Sequence, residues 1–264
     1  LTIARELRDR RGECNSLGNL GNAYAILGES RKAIEYYEQA LTIALKIEDK
    51  RSKGGWLGNL GIAYKNLGES RKAIEYYEQA LVIAREIGDK RNEGGWLCNL
   101  GVAYAALGES RKAIEYYEQA LTIAREIGDR MGEGSELGCL GLAYAVLGEA
   151  RKAIEYYEQH FAIAREIGDR RGEGNSLGNL GNAYADLGEP RQAIQFYEQQ
   201  LVITREIGDR RGEANALFNS SLALFDLGNH IEAIEKAEIA LQIYEQIESP
   251  FADRVKKKIA EWRK

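Results

Sequence analysis

The stretch Leu27–Leu41, LGESRKAIEYYEQAL, returns letter for letter at Leu67–Leu81 and again at Leu107–Leu121. It recurs with small changes after Leu147, Leu187 and Leu227, always 40 residues on and without an insertion. Repetition at a fixed period of this length marks an array of small supersecondary units, each burying one face against its neighbours. One unit and the way its copies stack therefore decide the fold.

Each unit reads as two helices. Ala33, Ile34, Tyr37, Ala40, Leu41 and Ala44 form one apolar stripe, which predicts a helix B from Ser30 to about Ile47. Upstream, Leu17, Leu20, Ala23, Tyr24 and Leu27 predict a helix A from about Arg11 to Leu27. Gly28 supplies the left-handed residue that ends helix A, and Gly88 followed by Asp89 reads as a terminal glycine and then an N-cap. Pro190 replaces a serine where the fifth helix B begins, a position that tolerates proline. Neither helix buries its stripe alone, so the pairs must stack. The fold class expected is all-α, a right-handed alpha-alpha superhelical solenoid of antiparallel helix pairs. Residues 1–9 align with the second half of a helix B and read as the end of a truncated preceding repeat. Residues 10–248 make six units of 40 residues. Residues 249–264 read as a capping helix with Phe251, Val255, Ile259 and Trp262 on one side.

Composition narrows the function. The net charge of −5 and the interspersed Arg, Lys and Glu argue against a nucleic-acid partner, which needs a basic face. No apolar run reaches about 18 residues, and Leu1–Arg10 is no signal peptide, so no membrane partner is expected. Cys14, Cys98 and Cys139 form no CxxC pair, and reduced thiols in a cytoplasm are the expectation. His160 and His230 are too few and too scattered for a metal site. Phosphate-loop, HExxH, nucleophile-elbow and dinucleotide motifs are all missing. Glutamates recur identically on outer faces, where Arg31 is placed to pair with Glu35. No catalytic residue, no metal and no cofactor is expected, and the chain reads as a protein that is not an enzyme.

Leu20-Gly21, Tyr24, Gly28, Ala33, Tyr37 and Ala40 stand at the spacing of the tetratricopeptide signature, which the chain resembles over nearly its whole length. With units of 40 residues and LGNAY and REIGDRRGE phrases, it resembles the arrays of kinesin light chains and of Pins-type adaptors. The near-identity of neighbouring units is also similar to the arrays of bacterial signal-transduction ATPases. The resemblance implies a concave groove lined by helix A columns that holds a protein or peptide ligand. The basic residues of the family's chaperone-binding clamp are missing from the columns at Asn15, Gly18 and Asn19, so a chaperone C-terminus is not expected.

Comparing the copies with one another points to the same face. Arg31, Lys32, Glu35, Glu38 and Gln39 of helix B recur in the next three units, whereas helix A varies. One column reads Asn15, Gly55, Gly95, Ser135, Asn175, Asn215. A second reads Asn22, Ile62, Val102, Leu142, Asn182, Leu222, and a third Ile26, Asn66, Ala106, Val146, Asp186, Asp226. One column is nearly uniform: Asn19, Asn59, Asn99, Asn179 and Asn219, interrupted by Cys139. An amide carries donors and an acceptor, so this column reads either as a ladder for the backbone of an extended ligand or as a tie between repeats. The candidate groove residues are Asn19, Asn22, Asn59, Lys65, Asn66, Asn99, Asn179, Asn182, Asp186, Asn219 and Asp226. Lys65 on one side and Asp186 with Asp226 on the other predict an acidic ligand group toward the N-terminal end and basic groups toward the other.

Gly54, Gly55, Gly58 and Gly61 share one helix, each at a cost of about 1 kcal/mol against alanine. They read as close helix packing or as an open groove floor. Trp56 and Trp96 follow them as packing residues or as aromatic anchors, and His160 and Gln200 replace Ala40 as an adjusted packing contact. The function expected is a protein–protein interaction module binding an extended peptide or protein segment. The alternative is a structural spacer or self-assembly scaffold with end-to-end self-association.

Overall fold

The computed structural model describes residues 1–264, all in helices and short turns, with no strand. The chain divides into two compact units, Leu1–Asp129 and Arg130–Lys264. The first contains α1 (Thr2–Glu6) and three pairs: α2 (Arg10–Ile26) with α3 (Ser30–Lys46), α4 (Lys50–Asn66) with α5 (Ser70–Glu86), and α6 (Lys90–Ala106) with α7 (Ser110–Glu126). The second contains α8 (Arg130–Val146) with α9 (Ala150–Ile167), α10 (Arg170–Asp186) with α11 (Pro190–Glu206), α12 (Arg210–Asp226) with α13 (His230–Gln246), and then α14 (Phe251–Trp262). Within each unit every helix packs on its neighbours in sequence. The turns between paired helices are too short for anything but an antiparallel arrangement. This is the all-α solenoid of helix pairs that the repeat predicts.

The boundaries follow from local chemistry. Asp9, Asp49, Asp89, Asp169 and Asp209 each accept a hydrogen bond from the backbone N–H three residues on, at 2.9–3.2 Å, which starts helix A. Helix A ends in a Schellman motif: Gly28 N–H donates to Ala25 O at 3.0 Å and Glu29 N–H to Tyr24 O at 2.9 Å. That motif requires the positive φ of +77° found at Gly28, which glycine adopts without strain. Helix B starts without a side-chain cap. Its first-turn ion pair runs from Lys32 back to Glu29 at 2.5 Å, in place of the Arg31–Glu35 pair expected from spacing. Lys32 is held there because its ammonium also sits 5.1 Å from the Tyr24 ring centroid.

Missing side chains let the helices approach. A Cβ on Gly21 would lie 2.5 Å from Tyr37 Cε1, and one on Gly61 would lie 2.5 Å from Tyr77 Cε1. Gly101, Gly141 and Gly181 meet Tyr117, Tyr157 and Tyr197 in the same way. Between repeats, a Cβ on Gly18 would lie 2.0 Å from Trp56 Cη2, and one on Gly58 2.1 Å from Trp96 Cη2. The tryptophans are therefore packing residues, each indole lying on the glycine of the preceding helix A. Trp56 Nε1 also donates to Cys14 Sγ at 3.2 Å, and burial pushes the Cys14 thiol's pKa up. Gly55 and Gly95 differ, since nothing lies within 4 Å of a Cβ there.

Ion pairs tie the outer edges of consecutive repeats. Lys90 contacts Glu93 on its own helix at 3.2 Å and Glu126 on the next helix B at 3.6 Å, while Arg85 donates to Glu93 at 2.9 Å. Arg170 bridges Glu173 and Glu206 in the same pattern. Burial raises the Glu93 carboxyl, but Arg85 and Lys90 together hold it below its usual pKa. In the last helix, Val255 and Ile259 are buried against α12 and α13, and Trp262 stacks on Phe225 with centroids 4.5 Å apart. Arg254, Lys256 and Lys257 face solvent.

The two kinds of glycine predict opposite results in denaturant melts. Gly55→Ala fills open space and should stabilise by about 0.5–1 kcal/mol. Gly58→Ala drives a methyl into the Trp96 indole and should destabilise by roughly 1–3 kcal/mol.

Candidate functional site

The helix A columns fall on the faces of α2, α4, α6, α8, α10 and α12, and the asparagine column splits into three kinds of residue. Asn59 Nδ2 donates to Asn22 Oδ1 at 3.3 Å, and the same oxygen accepts from Tyr37 Oη at 2.8 Å. The second unit repeats this with Asn219 Nδ2 to Asn182 Oδ1 at 3.1 Å and Tyr197 Oη to Asn182 Oδ1 at 2.8 Å. Asn99 turns back on its own helix and donates to Gly95 O at 3.0 Å. The amides of Asn19 and Asn179 have no hydrogen-bond partner in the chain.

The reason lies one repeat upstream. A column asparagine ties to the preceding helix A only where that helix offers an amide, as Asn22 and Asn182 do. Upstream of Asn99 and Asn179 stand Ile62 and Leu142, which accept nothing. The ties still leave hydrogen-bonding capacity free. Asn182 uses only its oxygen and Asn219 only one N–H, so both keep groups for other partners.

The second unit gathers five candidate residues around two adjoining clefts. One, of about 640 Å³, is lined by Asn182, Asp186, Tyr197, Asn219 and Asp226 among others. The other, of about 380 Å³, is lined by Asn179, Asn182 and Asn219 together with His160, Gln200 and Cys139. The clefts meet at Asn182 and Asn219. Asp186 and Asp226 are exposed, and neither takes part in an ion pair. In the first unit, Lys65 and Asn66 occupy the last turn of α4, with Asn66 exposed and Lys65 half-buried. No hydrogen bond or ion pair joins either of them to another candidate residue.

His160, Ser176 and Gln200 were not among the expected groove residues. His160 Nδ1 lies 2.9 Å from Ser176 Oγ, whose hydroxyl donates to Gly172 O at 2.9 Å. With the hydroxyl proton used, Ser176 accepts from an Nδ1–H, and the imidazole keeps Nε2 as an acceptor. Burial pushes the His160 pKa down, with Asp169 pulling the other way, so the ring is neutral at pH 7. A size relation in the sequence marks these positions. Trp56 and Trp96 face Ala40 and Ala80, whereas Ser176 and Ala216 face the larger His160 and Gln200. No group of three or more His, Cys, Asp or Glu comes together as a metal site would require. No helix is long and apolar enough to cross a membrane.

Comparison with known proteins places this geometry. A family profile described as tetratricopeptide repeat matches residues 1–46, 54–126 and 136–206, and a second of the same description matches residues 179–246. No curated protein matches the sequence. Among solved structures, a signal-transduction ATPase of Pyrococcus horikoshii with a tetratricopeptide-repeat sensor is 23% identical, with a TM-score of 0.83 over 95% of this chain and 39% of that one. A Podosopora anserina putative kinesin light chain of nearly identical repeats is 24% identical, with a TM-score of 0.64 over 74% of this chain and 96% of that one. A Rap protein complexed with competence and sporulation factor is 18% identical, with a TM-score of 0.64 over 95% of this chain and 76% of that one. These likenesses show the fold.

Two outcomes follow from the hydrogen bonds. The Tyr77 hydroxyl is buried without a partner, because Ile62 stands where Asn22 and Asn182 serve Tyr37 and Tyr197. Ile62→Asn should therefore be more stable than Ile62→Ala by about 1 kcal/mol, a gain that Tyr77→Phe abolishes in a double-mutant cycle. For His160, the folded pKa lies below the unfolded value of about 6.5, so unfolding takes up a proton in acid. Its contribution is complete above about pH 6.5 and declines as pH falls toward the folded pKa. Urea melts between those limits should lose part of their pH slope in His160→Gln.

Proposed function

The chain belongs to the tetratricopeptide-repeat family, and on that premise we propose that it holds an extended peptide or protein segment along the helix A columns. The observation that carries this reading is the pair of adjoining clefts on α8, α10 and α12, where Asn179, Asn182, Asp186, Asn219 and Asp226 stand together. In this reading, asparagine amides with spare donors and acceptors take the ligand's main chain whatever its sequence. Asp186 and Asp226 take a basic side chain, because neither has a cation of its own. In the first unit, Lys65 and Asn66 offer a cation and an amide, and Asn19 and Asn99 carry the column's amides. The complex between a Rap protein of similar fold and competence and sporulation factor supports recognition by such an array.

The spacer or self-assembly reading rests on the same asparagines, since Asn59 and Asn219 do tie consecutive repeats. The two readings separate at residues without a tie. Asn179→Ala and Asn19→Ala remove amides that have no partner in the chain, so thermal melts should shift little. Asn182→Ala strips a partner from Tyr197 and Asn219 and should cost about 1–2 kcal/mol. Crosslinking capture from source-cell lysate should yield a partner with the parent and lose it with the folded Asn19→Ala/Asn179→Ala variant. Equal capture by both, or a mass by light scattering that rises with concentration and no captured partner, would favour the scaffold.

A further inference from the structure

The second unit lacks the tryptophans that seal the first. Where Trp56 and Trp96 lie across Gly18 and Gly58, the second unit has Ser176 and Ala216. Its glycines Gly138 and Gly178 are covered instead by His160 and Gln200, which reach in from the helix B of the same repeat. An imidazole or a carboxamide is smaller than an indole. The cleft of about 380 Å³ lies at this level, bordered by both side chains and both glycines.

Its chemistry is unusual in a chain where 29% of residues are charged. None of the residues lining it carries a formal charge at neutral pH, since burial keeps His160 neutral. Hydrogen-bonding capacity is nevertheless left open. Gln200 is only 8% exposed, and its Oε1 has no partner. The His160 ring is fixed by Ser176 with Nε2 as acceptor. Asn175, Asn179 and Asn215 line the same cleft, and Asn179 has a whole amide unpaired.

We propose that this cleft is a selectivity pocket for one carboxamide side chain, asparagine or glutamine, of the segment bound in the groove. The proposal rests on the groove reading above and adds what that reading does not give, a residue type. A carboxamide supplies N–H donors for His160 Nε2 and, once the Gln200 carboxamide turns toward the cleft, for its buried Oε1, and an oxygen for the asparagine amides. A charged side chain would be desolvated with no opposite charge among the residues lining the cleft. An apolar one would leave the buried Gln200 oxygen unpaired, and a single hydroxyl has one donor for two acceptors. At about 380 Å³ the cleft has room for one side chain together with the backbone that carries it. Because the cleft meets its acidic neighbour at Asn182 and Asn219, the carboxamide lies next to the basic side chain assigned to Asp186 and Asp226.

The test is selection from a display library of random linear peptides on the full chain. The parent should enrich asparagine or glutamine at one position, roughly tenfold over other residues, beside a position rich in lysine or arginine. The double variant His160→Ala/Ser176→Trp rebuilds the first unit's packing, with an indole over Gly138. It should fold by circular dichroism, keep the basic position and lose the carboxamide preference. Gln200→Leu, which removes the unpaired oxygen, should weaken that preference without unfolding the chain. Peptides that compete with one another yet show no carboxamide position, or a preference that survives in the folded double variant, would overturn the pocket and leave the groove standing. Recovery of no peptide at all would overturn both readings together.

Discussion

A tyrosine ring lying directly on a backbone without a Cβ is the contact that spaces five of the six helix pairs. In five pairs the helix A glycine leaves the tyrosine ring about 2.4–2.6 Å from where a Cβ would be. A helical glycine costs about 1 kcal/mol. Burying most of an aromatic ring returns more than that, and it fixes how deeply helix B sits. The sixth pair forms without this contact and gives up both partners at once. Ser221 stands at the glycine position and Ala237 at the tyrosine position, with Phe218 buried in the cluster beneath α14. The tryptophan contacts, the ion pairs and the cleft floors are all referred to helices spaced by this first contact.

The fold was legible because every signal repeats. Glycine after helix A, aspartate before it, and two stripes per unit locate helices to within a residue or so at each end. Of the two readings open for the glycines of helix A, close packing holds at Gly58 and Gly61, while Gly55 shows that the same letter also stands in open space. The Arg31–Glu35 expectation failed for a local reason. The Tyr24 ring draws the neighbouring Lys32 toward the helix start, where Glu29 is within reach.

The candidate residues were legible as columns on helix A, but not the hydrogen bonds that each makes. Whether a column asparagine is tied or free depends on a residue 37 positions upstream, as Asn59 depends on Asn22. Reading the columns one at a time hides that pairing, and reading them two at a time reveals it. His160 and Gln200 were likewise written in the sequence, as an inverse size relation with Ser176 and Ala216. Their hydrogen bonds were not, because tautomer and unpaired oxygen depend on side-chain placement in three dimensions.

The verbatim copies in the first unit also carry a hazard during folding. A helix A that recognises one helix B finds the same verbatim stretch one period further on. Skipping a period lengthens the closing loop, yet each doubling of a loop adds only about 0.6 kcal/mol. Slipped docking is thus a characteristic trap for such a chain. The change from indole to imidazole and carboxamide breaks the degeneracy. A tryptophan-bearing helix that reaches Gly138 or Gly178 finds the floor already occupied by His160 or Gln200 and cannot seat. Those two side chains give the repetitive polymer a phase mark from which its register can be counted.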